Sequence, residues 1–204
     1  MPLTSHDVHE ALAKFTGSER VALHEPCFAG HEWTYVKECI DTGWVSSAGK
    51  YVERFEQKLA EVCGTRHAVA VVNGTAALHL ALLLCGVKPG EEVLVPAMTF
   101  VATANAVVHA GAIPHFADSE MKTLGLDAAK LKTHLEAIAI RRGGSVFNRE
   151  TGRRLAAIVP MHTFGHPCDI DGLLAVAEEF GIPLLEDAAE ALGVTAHRLK
   201  ALQL

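Results

Sequence analysis

Short apolar runs alternate with helical stretches from residue 67 onward, and this alternation constrains the fold more than any other feature. The runs are HAVAVV (67–72), EVLVP (92–96), IPHFAD (113–118), LAAIVP (155–160) and IPLLED (182–187). Between them the spacing of apolar residues predicts helices at about 75–85, 101–110, 127–140 and 170–180. Strands that are apolar throughout are typical of a parallel sheet covered on both faces. The sequence therefore predicts a three-layer α/β fold with a mostly parallel sheet.

Three segments lie outside this alternation. Two amphipathic helices are predicted at 30–42 and 51–63, with the small-residue loop TGWVSSAGK between them. The polar segment RRGGSVFNRETGRR (141–154) has paired glycines and turn-forming residues from Asn148 to Gly152. This chemistry predicts a surface hairpin inserted between a helix and a strand.

Charge and cysteine content limit the partners and the compartment. Lys plus Arg number 18 and Asp plus Glu number 24, a net charge of −6 without a basic run, so neither nucleic acid nor an anionic membrane is expected as a partner. The five cysteines are scattered, which favours reduced thiols. The first residues do not resemble a signal peptide, and the longest apolar stretch, 76–87, is too short to cross a bilayer. We expect a cytoplasmic protein.

Ligands of parallel α/β sheets bind beyond the carboxyl ends of the strands. After 67–72 come Gly74 and Thr75, which would let a phosphate approach the free amides at a helix start. A plain turn with Asn73 or Thr75 as the N-cap fits the same residues equally well. The GxGxxG pattern is missing here, which counts against a dinucleotide.

An aromatic ring and a carboxylate follow two further predicted strands. Phe100 comes after 92–96, where its ring would lie against a flat cofactor, although an aromatic packed between helix and sheet is the commoner case. Asp187 ends the apolar run 182–187, and a buried carboxylate there needs a partner. A protonated pyridine nitrogen would supply one, whereas the alternative is an N-cap of the next turn.

The cluster HTFGHPC contains His162, His166 and Cys168. Gly165 and Pro167 make a regular helix improbable, so the spacing does not put both imidazoles on one helical face. Structural and catalytic zinc sites usually have at least three protein ligands with supporting hydrogen bonds. We expect no metal here. His162, directly after 155–160, is better placed to contact a cofactor or substrate.

In combination these motifs resemble one family. The order NGTAAL, VPAMTFVATANAV, VPMHTFGHPCDIDGL and IPLLEDAAEALG is similar to that of the DegT-type nucleotide-sugar aminotransferases, which depend on pyridoxal 5'-phosphate (PLP). The stretch 23–56 and the segment VFNRETGRR resemble the LegC-like branch, and the resemblance covers about residues 21–194. It implies the large domain of PLP fold type I. It also implies transamination of a keto-deoxy nucleotide sugar in polysaccharide biosynthesis, with glutamate as the expected amino donor and a homodimer in the full-length relative.

The resemblance implies these cofactor-binding residues: Gly74, Thr75, Phe100, His162, Asp187 and Glu190. The first two would hold the phosphate, the phenyl ring would stack on the pyridine, and the aspartate would pair with its nitrogen. Glu190 would lie near the phenolic oxygen, where many relatives have Gln, and His162 lies near the cofactor without an assigned role. The loop 44–50 would border the sugar-nucleotide site.

The similarity stops after Gly193, where the sequence reads VTAHRLKALQL. Lys200, the only lysine after Asp187, comes too early to be the family's Schiff-base lysine. We therefore expect residues 1–204 to be the N-terminal part of the PLP-binding large domain, without the lysine loop and the C-terminal small domain. No catalytic residue is assigned, and we expect this truncated form to be inactive alone, with an unpaired apolar strand edge after Asp187.

Two alternatives stay open. The first is a PLP-dependent sugar dehydratase of related fold, in which histidine replaces the lysine, although His197 also comes too early. The second is a non-catalytic fragment that pairs with an intact subunit.

Overall fold

The computed structural model describes residues 3–18, 20 and 26–194. The chain divides into two compact units, 1–53 and 54–204, and each is described by itself. The helices are α1 (Ser5–Thr16), α2 (Glu32–Thr42), α3 (Lys50–Cys63), α4 (Gly74–Leu84), α5 (Val101–His109), α6 (Ala128–Ile138) and α7 (Ile170–Phe180). The strands are β1 (Glu92–Pro96), β2 (Ile113–Ala117), β3 (Ala139–Arg142), β4 (Ser145–Asn148) and β5 (Leu155–Ile158). No helix among these described residues is long and apolar enough to cross a membrane.

The first unit contains α1, α2 and the first turn of α3. Thr4 caps α1 in a reciprocal capping box with Asp7, which satisfies amides at the helix start. Glu38 of α2 accepts a hydrogen bond of 2.6 Å from the Tyr51 hydroxyl and pairs with Lys50. The Tyr51 ring lies 4.8 Å from that of Tyr35, centroid to centroid. These contacts fasten α2 to the start of α3.

The second unit is organised around a parallel sheet in the order β2–β1–β5. The segment 182–187 extends the sheet beside β5, pairing in parallel at Ile158–Leu184 and Met161–Asp187. Its amides and carbonyls alternate with those of β5: Leu185 N–H donates to Ile158 O at 2.9 Å, and Asp187 N–H donates to Pro160 O at 2.9 Å. The carboxyl ends of β1, β5 and this segment therefore lie at one edge of the sheet.

Helices cover both faces of this sheet. Val93 and Val95 of β1 share one core with apolar residues of α4 and α5, whereas Leu94 shares the other core with residues of α6 and α7. The side chains of a strand alternate between faces, so a run that is apolar at every position is buried on both sides. The three-layer α/β prediction is confirmed.

The inserted segment forms the predicted hairpin. Strands β3 and β4 pair antiparallel, and Gly143 and Gly144 turn the chain with φ of 55° and 81°. Positive φ at both central positions is the geometry that matches the twist of a two-residue hairpin, and glycine adopts it without steric cost.

The prediction of a strand at 67–72 is wrong. This segment has no strand geometry, and no described strand lies beside it to form a ladder. Val69 and Val72 are 76% and 87% exposed. Apolar, β-branched composition is not enough, because a strand is completed only by backbone hydrogen bonds to a neighbour.

A buried carboxylate sits at the amino end of β1. Glu92 accepts hydrogen bonds from Thr151 Oγ1 (2.6 Å) and Asn148 Nδ2 (3.0 Å), and its Oε2 lies 2.9 Å from His115 Nδ1. His115 Nε2 in turn lies 2.8 Å from His134 Nε2 of α6. Burial opposes the ionisation of Glu92, but these hydrogen bonds outweigh it and lower the pKa of the carboxyl below its usual value. The network joins β1, β2, α6 and the end of the hairpin.

Candidate active site

Asp187 is the central group at the carboxyl edge of the sheet. Its side chain is buried, with 5% of the residue exposed. Oδ2 accepts a hydrogen bond of 2.7 Å from Thr103 Oγ1, and Oδ1 accepts one of 3.3 Å from the amide of Ala189. Among the described residues no cationic side chain forms an ion pair with it. A buried carboxylate with two neutral donors and no cation is a site to which a positively charged ligand atom would be attracted.

The start of α5 lies against this carboxylate. Phe100 is the N-cap residue of α5 and 62% exposed, so the alternative of a core aromatic is wrong. The amide of Thr103 donates to the Phe100 carbonyl at 3.1 Å, which places the two residues in the same turn. The helix therefore presents an open aromatic face one turn from the hydroxyl that holds Asp187. The alternative interpretation of Asp187, as a cap of the next turn, holds in part, because Oδ1 accepts the amide of Ala189 at the start of that turn.

The start of α4 keeps both of its predicted roles open. Asn73 is the N-cap, and its side chain accepts the amide of Ala76 at 2.9 Å. Space remains beside Gly74, because a Cβ built there meets no atom within 4 Å. The first amides of a helix have no partner within the helix, so Gly74 and Thr75 offer donors to an anion. Helix α4 lies next to α5 in the same layer.

His162 adjoins Asp187 through the backbone and is held by its own ring nitrogens. Its amide donates to Asp187 O at 3.1 Å. Nε2 lies 3.0 Å from Glu186 Oε2, and Nδ1 accepts the amide of Cys168 at 3.1 Å. Burial opposes protonation of the ring, while Cys168 and Glu186 favour it and raise the pKa of His162 to about 9.

These observations on His162 conflict. A charged ring would carry a proton on Nδ1, directly facing the amide hydrogen of Cys168. The hydrogen bond decides, because a nitrogen that accepts a hydrogen cannot also donate one. In this geometry the ring is neutral, with its proton on Nε2 directed at Glu186.

Glu190 is tied to the turn that follows His162. Its Oε2 accepts a hydrogen bond of 2.6 Å from the amide of Phe164, a residue in the left-handed region with φ of 53°. A Cβ on Gly165 would come within 2.9 Å of the Glu190 carbonyl oxygen, so only glycine fits there. The carboxylate is therefore held against the loop by a strained backbone turn.

The structure brings four predicted site residues together by direct contacts or shared turns: Phe100, His162, Asp187 and Glu190. Gly74 and Thr75 start the neighbouring helix of the same layer. The loop 44–50 belongs to the first unit, where the Trp44 side chain lies 3.7 Å from the Cβ position of Gly49, and its role stays a prediction.

Two residues of the site were missed from the sequence, Thr103 and Glu186. Thr103 is 1% exposed and Glu186 is partly buried. The sequence does contain a hint for each. Thr103 stands one helical turn after Phe100, and Glu186 precedes Asp187 at the end of an apolar run, where a second carboxylate also needs a donor.

The donor set suits one kind of ligand. Helix amides beside an open glycine can donate hydrogen bonds to an anion, and an exposed phenyl face can stack on a flat ring. A buried carboxylate without a cation can pair with a protonated ring nitrogen. PLP combines a phosphate, a planar ring and a pyridine nitrogen. The residues present fit this group.

Comparison with known proteins agrees with this fit. The chain is 42% identical over 176 residues to GDP-perosamine synthase of Caulobacter vibrioides, covering 86% of this chain and 43% of that protein. It is 40% identical over 170 residues to the spore coat polysaccharide biosynthesis protein SpsC of Bacillus subtilis, covering 83% and 39%. The chain thus spans less than half the length of these curated relatives.

A solved structure points the same way. NtdA of Bacillus subtilis, solved with the bound cofactor PMP, superposes with a TM-score of 0.67 at 29% identity, covering 80% of this chain and 34% of NtdA. Residues 26–201 match the DegT/DnrJ/EryC1/StrS aminotransferase family. This chain belongs to that family.

Proposed function

We propose that this chain provides the cofactor-binding site, here called the cofactor seat, of a PLP-dependent enzyme. That enzyme transfers an amino group to a keto group on a nucleotide-activated deoxysugar. The observation that carries the proposal is the buried Asp187 carboxylate, which has two neutral donors and no cation among the described residues. When bound, PLP supplies an electron sink for chemistry at the carbon bearing the amino group. The relatives named for GDP-perosamine and for spore coat polysaccharide support a sugar substrate.

In this proposal each residue acts on one part of the cofactor. The amides and hydroxyl at Gly74 and Thr75 bind the phosphate at the start of α4. Asp187 holds a proton on the pyridine nitrogen, and Phe100 covers one ring face and keeps water from it. His162 and Glu190 remain expected neighbours of the cofactor, each held by a hydrogen bond to its own loop.

The proposal includes non-covalent attachment in this chain. None of its lysines stands in the family's lysine motif, and Lys200, like His197, lies outside the described residues. Lys130 and Lys132 lie on α6, which packs on the face of the sheet opposite to α5. Lys130 is ion-paired to Asp118, and Lys132 is ion-paired to Glu179. We therefore expect the 204-residue chain alone to bind the cofactor without transaminating.

The remaining expectations describe the whole enzyme. We propose that the whole enzyme uses glutamate as the amino donor, forms a homodimer, is located in the cytoplasm and belongs to the LegC-like branch. The five cysteines are scattered along the sequence, which supports reduced thiols.

Titration of the purified chain with PLP, followed by the cofactor's absorbance and by protein fluorescence, tests the seat. Gly74→Val should abolish binding, because its side chain fills the space where the phosphate is expected. Ala77→Val, one turn further on the exposed side of α4, is the matched control and should bind like the wild type.

Both variants should unfold at the same temperature as each other, since Gly74 has no positive φ and no neighbour to clash with. A wild-type chain that binds no PLP, or a Gly74→Val variant that binds normally, would contradict the proposed seat. Borohydride treatment followed by mass spectrometry checks the attachment. A cofactor fixed to any lysine of the chain would contradict the non-covalent part.

A further inference from the structure

A chain of two hydroxyls ends on the Asp187 carboxylate. Thr99 Oγ1 lies 2.9 Å from Thr103 Oγ1, which lies 2.7 Å from Asp187 Oδ2. Thr103 is 1% exposed and Asp187 5%, so water does not compete for these bonds. All three side chains stand at the carboxyl edge of the sheet, where the candidate active site lies.

The direction of these hydrogen bonds follows from chemistry. An ionised carboxylate only accepts, so the single hydroxyl hydrogen of Thr103 must point to Asp187 Oδ2. Thr103 Oγ1 can then only accept from Thr99, which therefore donates. The amide of Ala189 holds the other carboxylate oxygen. Each oxygen thus has one fixed donor, and the plane of the carboxylate is set.

We propose that Thr103 is a positioning residue that aims the Asp187 carboxylate at the pyridine nitrogen of PLP, with Thr99 fixing the direction of its hydroxyl. This rests on the proposed function. Thr103 shares its helical turn with Phe100, so one turn of α5 fixes both the position of the Phe100 ring and the orientation of the Asp187 carboxylate. Neither cofactor contact would then move without the other.

The test measures dissociation constants for two probes, PLP and its 1-deaza analogue, in which a CH group replaces the ring nitrogen. Thr103→Val removes the hydroxyl at constant shape, and Thr103→Ser keeps it. Loss of one buried hydrogen bond should weaken binding of PLP to Thr103→Val by about three- to tenfold. Binding of the deaza analogue should stay as in the wild type, because it has no nitrogen for the carboxylate to address. Thr103→Ser should bind both probes like the wild type.

The outcomes separate this role from a merely structural one. If Thr103→Val weakens both probes equally, or neither, the positioning role is overturned while the cofactor seat stands. If the wild type binds both probes equally well, the pairing of Asp187 with the ring nitrogen is overturned, and the role of Thr103 with it. If it binds neither, the proposed function itself fails.

A second variant covers the possibility that Thr103→Val does not fold. Thr99→Val leaves Thr103 in place but frees its hydroxyl to rotate, and the more exposed Thr99 tolerates the change more easily. We expect a loss of about twofold for PLP and none for the deaza analogue. Equal binding of PLP to Thr99→Val and the wild type, with Thr103→Val unfolded, would also overturn the proposal. Circular dichroism reports on the folding of each variant.

Discussion

Two buried carboxylates stand at opposite ends of the same sheet, and they are satisfied differently. Glu92, at the amino end of β1, has donors from Thr151, Asn148 and His115, and Arg153 lies 3.7 Å away. Asp187, at the carboxyl end of 182–187, has one hydroxyl and one amide. Both are nearly inaccessible to water, at 2% and 5% exposure.

The difference separates structure from function. At Glu92 the protein supplies enough donors to stabilise the charge, which is why its pKa is lowered despite burial. At Asp187 it supplies two neutral donors and no cation among the described residues, which leaves the carboxylate able to bind a cationic atom. A deficit of partners at a buried charge, rather than the charge itself, marks the candidate active site.

The largest expected effect comes from truncating the saturated carboxylate. In Glu92→Ala the donors of Thr151, Asn148 and His115 lose their common acceptor inside the protein. Each buried donor left without an acceptor costs about 1 to 3 kcal/mol, so with three such donors the free energy of unfolding in urea should fall by about 3 kcal/mol or more. PLP affinity should not change at a pH and temperature where the variant is folded. An unchanged urea midpoint would contradict the structural role of Glu92.

A change at Asp187, at the carboxyl end of the sheet, should weaken PLP binding rather than stability. Asp187→Asn keeps the shape but removes the charge that would face the pyridine nitrogen. Affinity for PLP should fall by about 10- to 100-fold, the range for a hydrogen bond to a charged group. Glu92→Gln, the same isosteric change at the amino end, is the matched control and should bind PLP normally. If both variants lose affinity alike, the two ends are not functionally distinct.

The aromatic face should contribute less than the charge. Phe100→Leu removes the ring but keeps an apolar side chain, and stacking contributes about 0.5 to 1.5 kcal/mol, or a loss of about two- to tenfold in PLP affinity. Phe147→Leu, in the hairpin strand β4 that leads to the Glu92 network, serves as the control. Titration of both variants decides the assignment, and equal affinities would remove Phe100 from the site.

The smallest expected effect concerns pH. Burial and the neighbouring His115 lower the pKa of His134 below 6.5, against the opposing charge of Glu150. The unfolded chain then binds a proton more readily than the folded chain between pH 6.5 and the lower folded value, so stability falls as the pH is lowered through this range.

Glutamine at position 134 still donates to His115 but does not titrate, so His134→Gln should lose part of this pH dependence. Urea unfolding of both proteins at pH 7.5 and 5.5 provides the measurement. Parallel curves for the two proteins would show that His134 does not titrate as its surroundings indicate.

Much of the fold was readable in the sequence because its strands are buried on both faces. Strand β1 and helix α7 lie within the predicted ranges, the hairpin formed, and the family and its PLP dependence are confirmed by the family match and by a relative solved with its cofactor. The strand at 67–72 failed because composition records a preference but not the presence of a neighbour.

The candidate site divides in a similar way. Phe100 and Asp187 could be found because Phe100 comes shortly after one apolar run and Asp187 ends another. Thr103 was missed, since its position one helical turn after Phe100 does not show which residue it contacts, and only the fold brings it to a residue 84 positions away. The Glu92 network escaped notice for the same reason, as its members come from four separate elements.

The segment 67–72, which has no strand beside it among the described residues, favours self-association of the chain in the measurements described above. Its exposed valines offer an apolar surface to another chain, and the rate of pairing between two copies depends on the square of the protein concentration. Dilution should therefore reduce self-association more steeply than it reduces the signal from bound cofactor. We expect affinities measured at low protein concentration to describe the seat, and affinities measured at high concentration to mix binding with self-association.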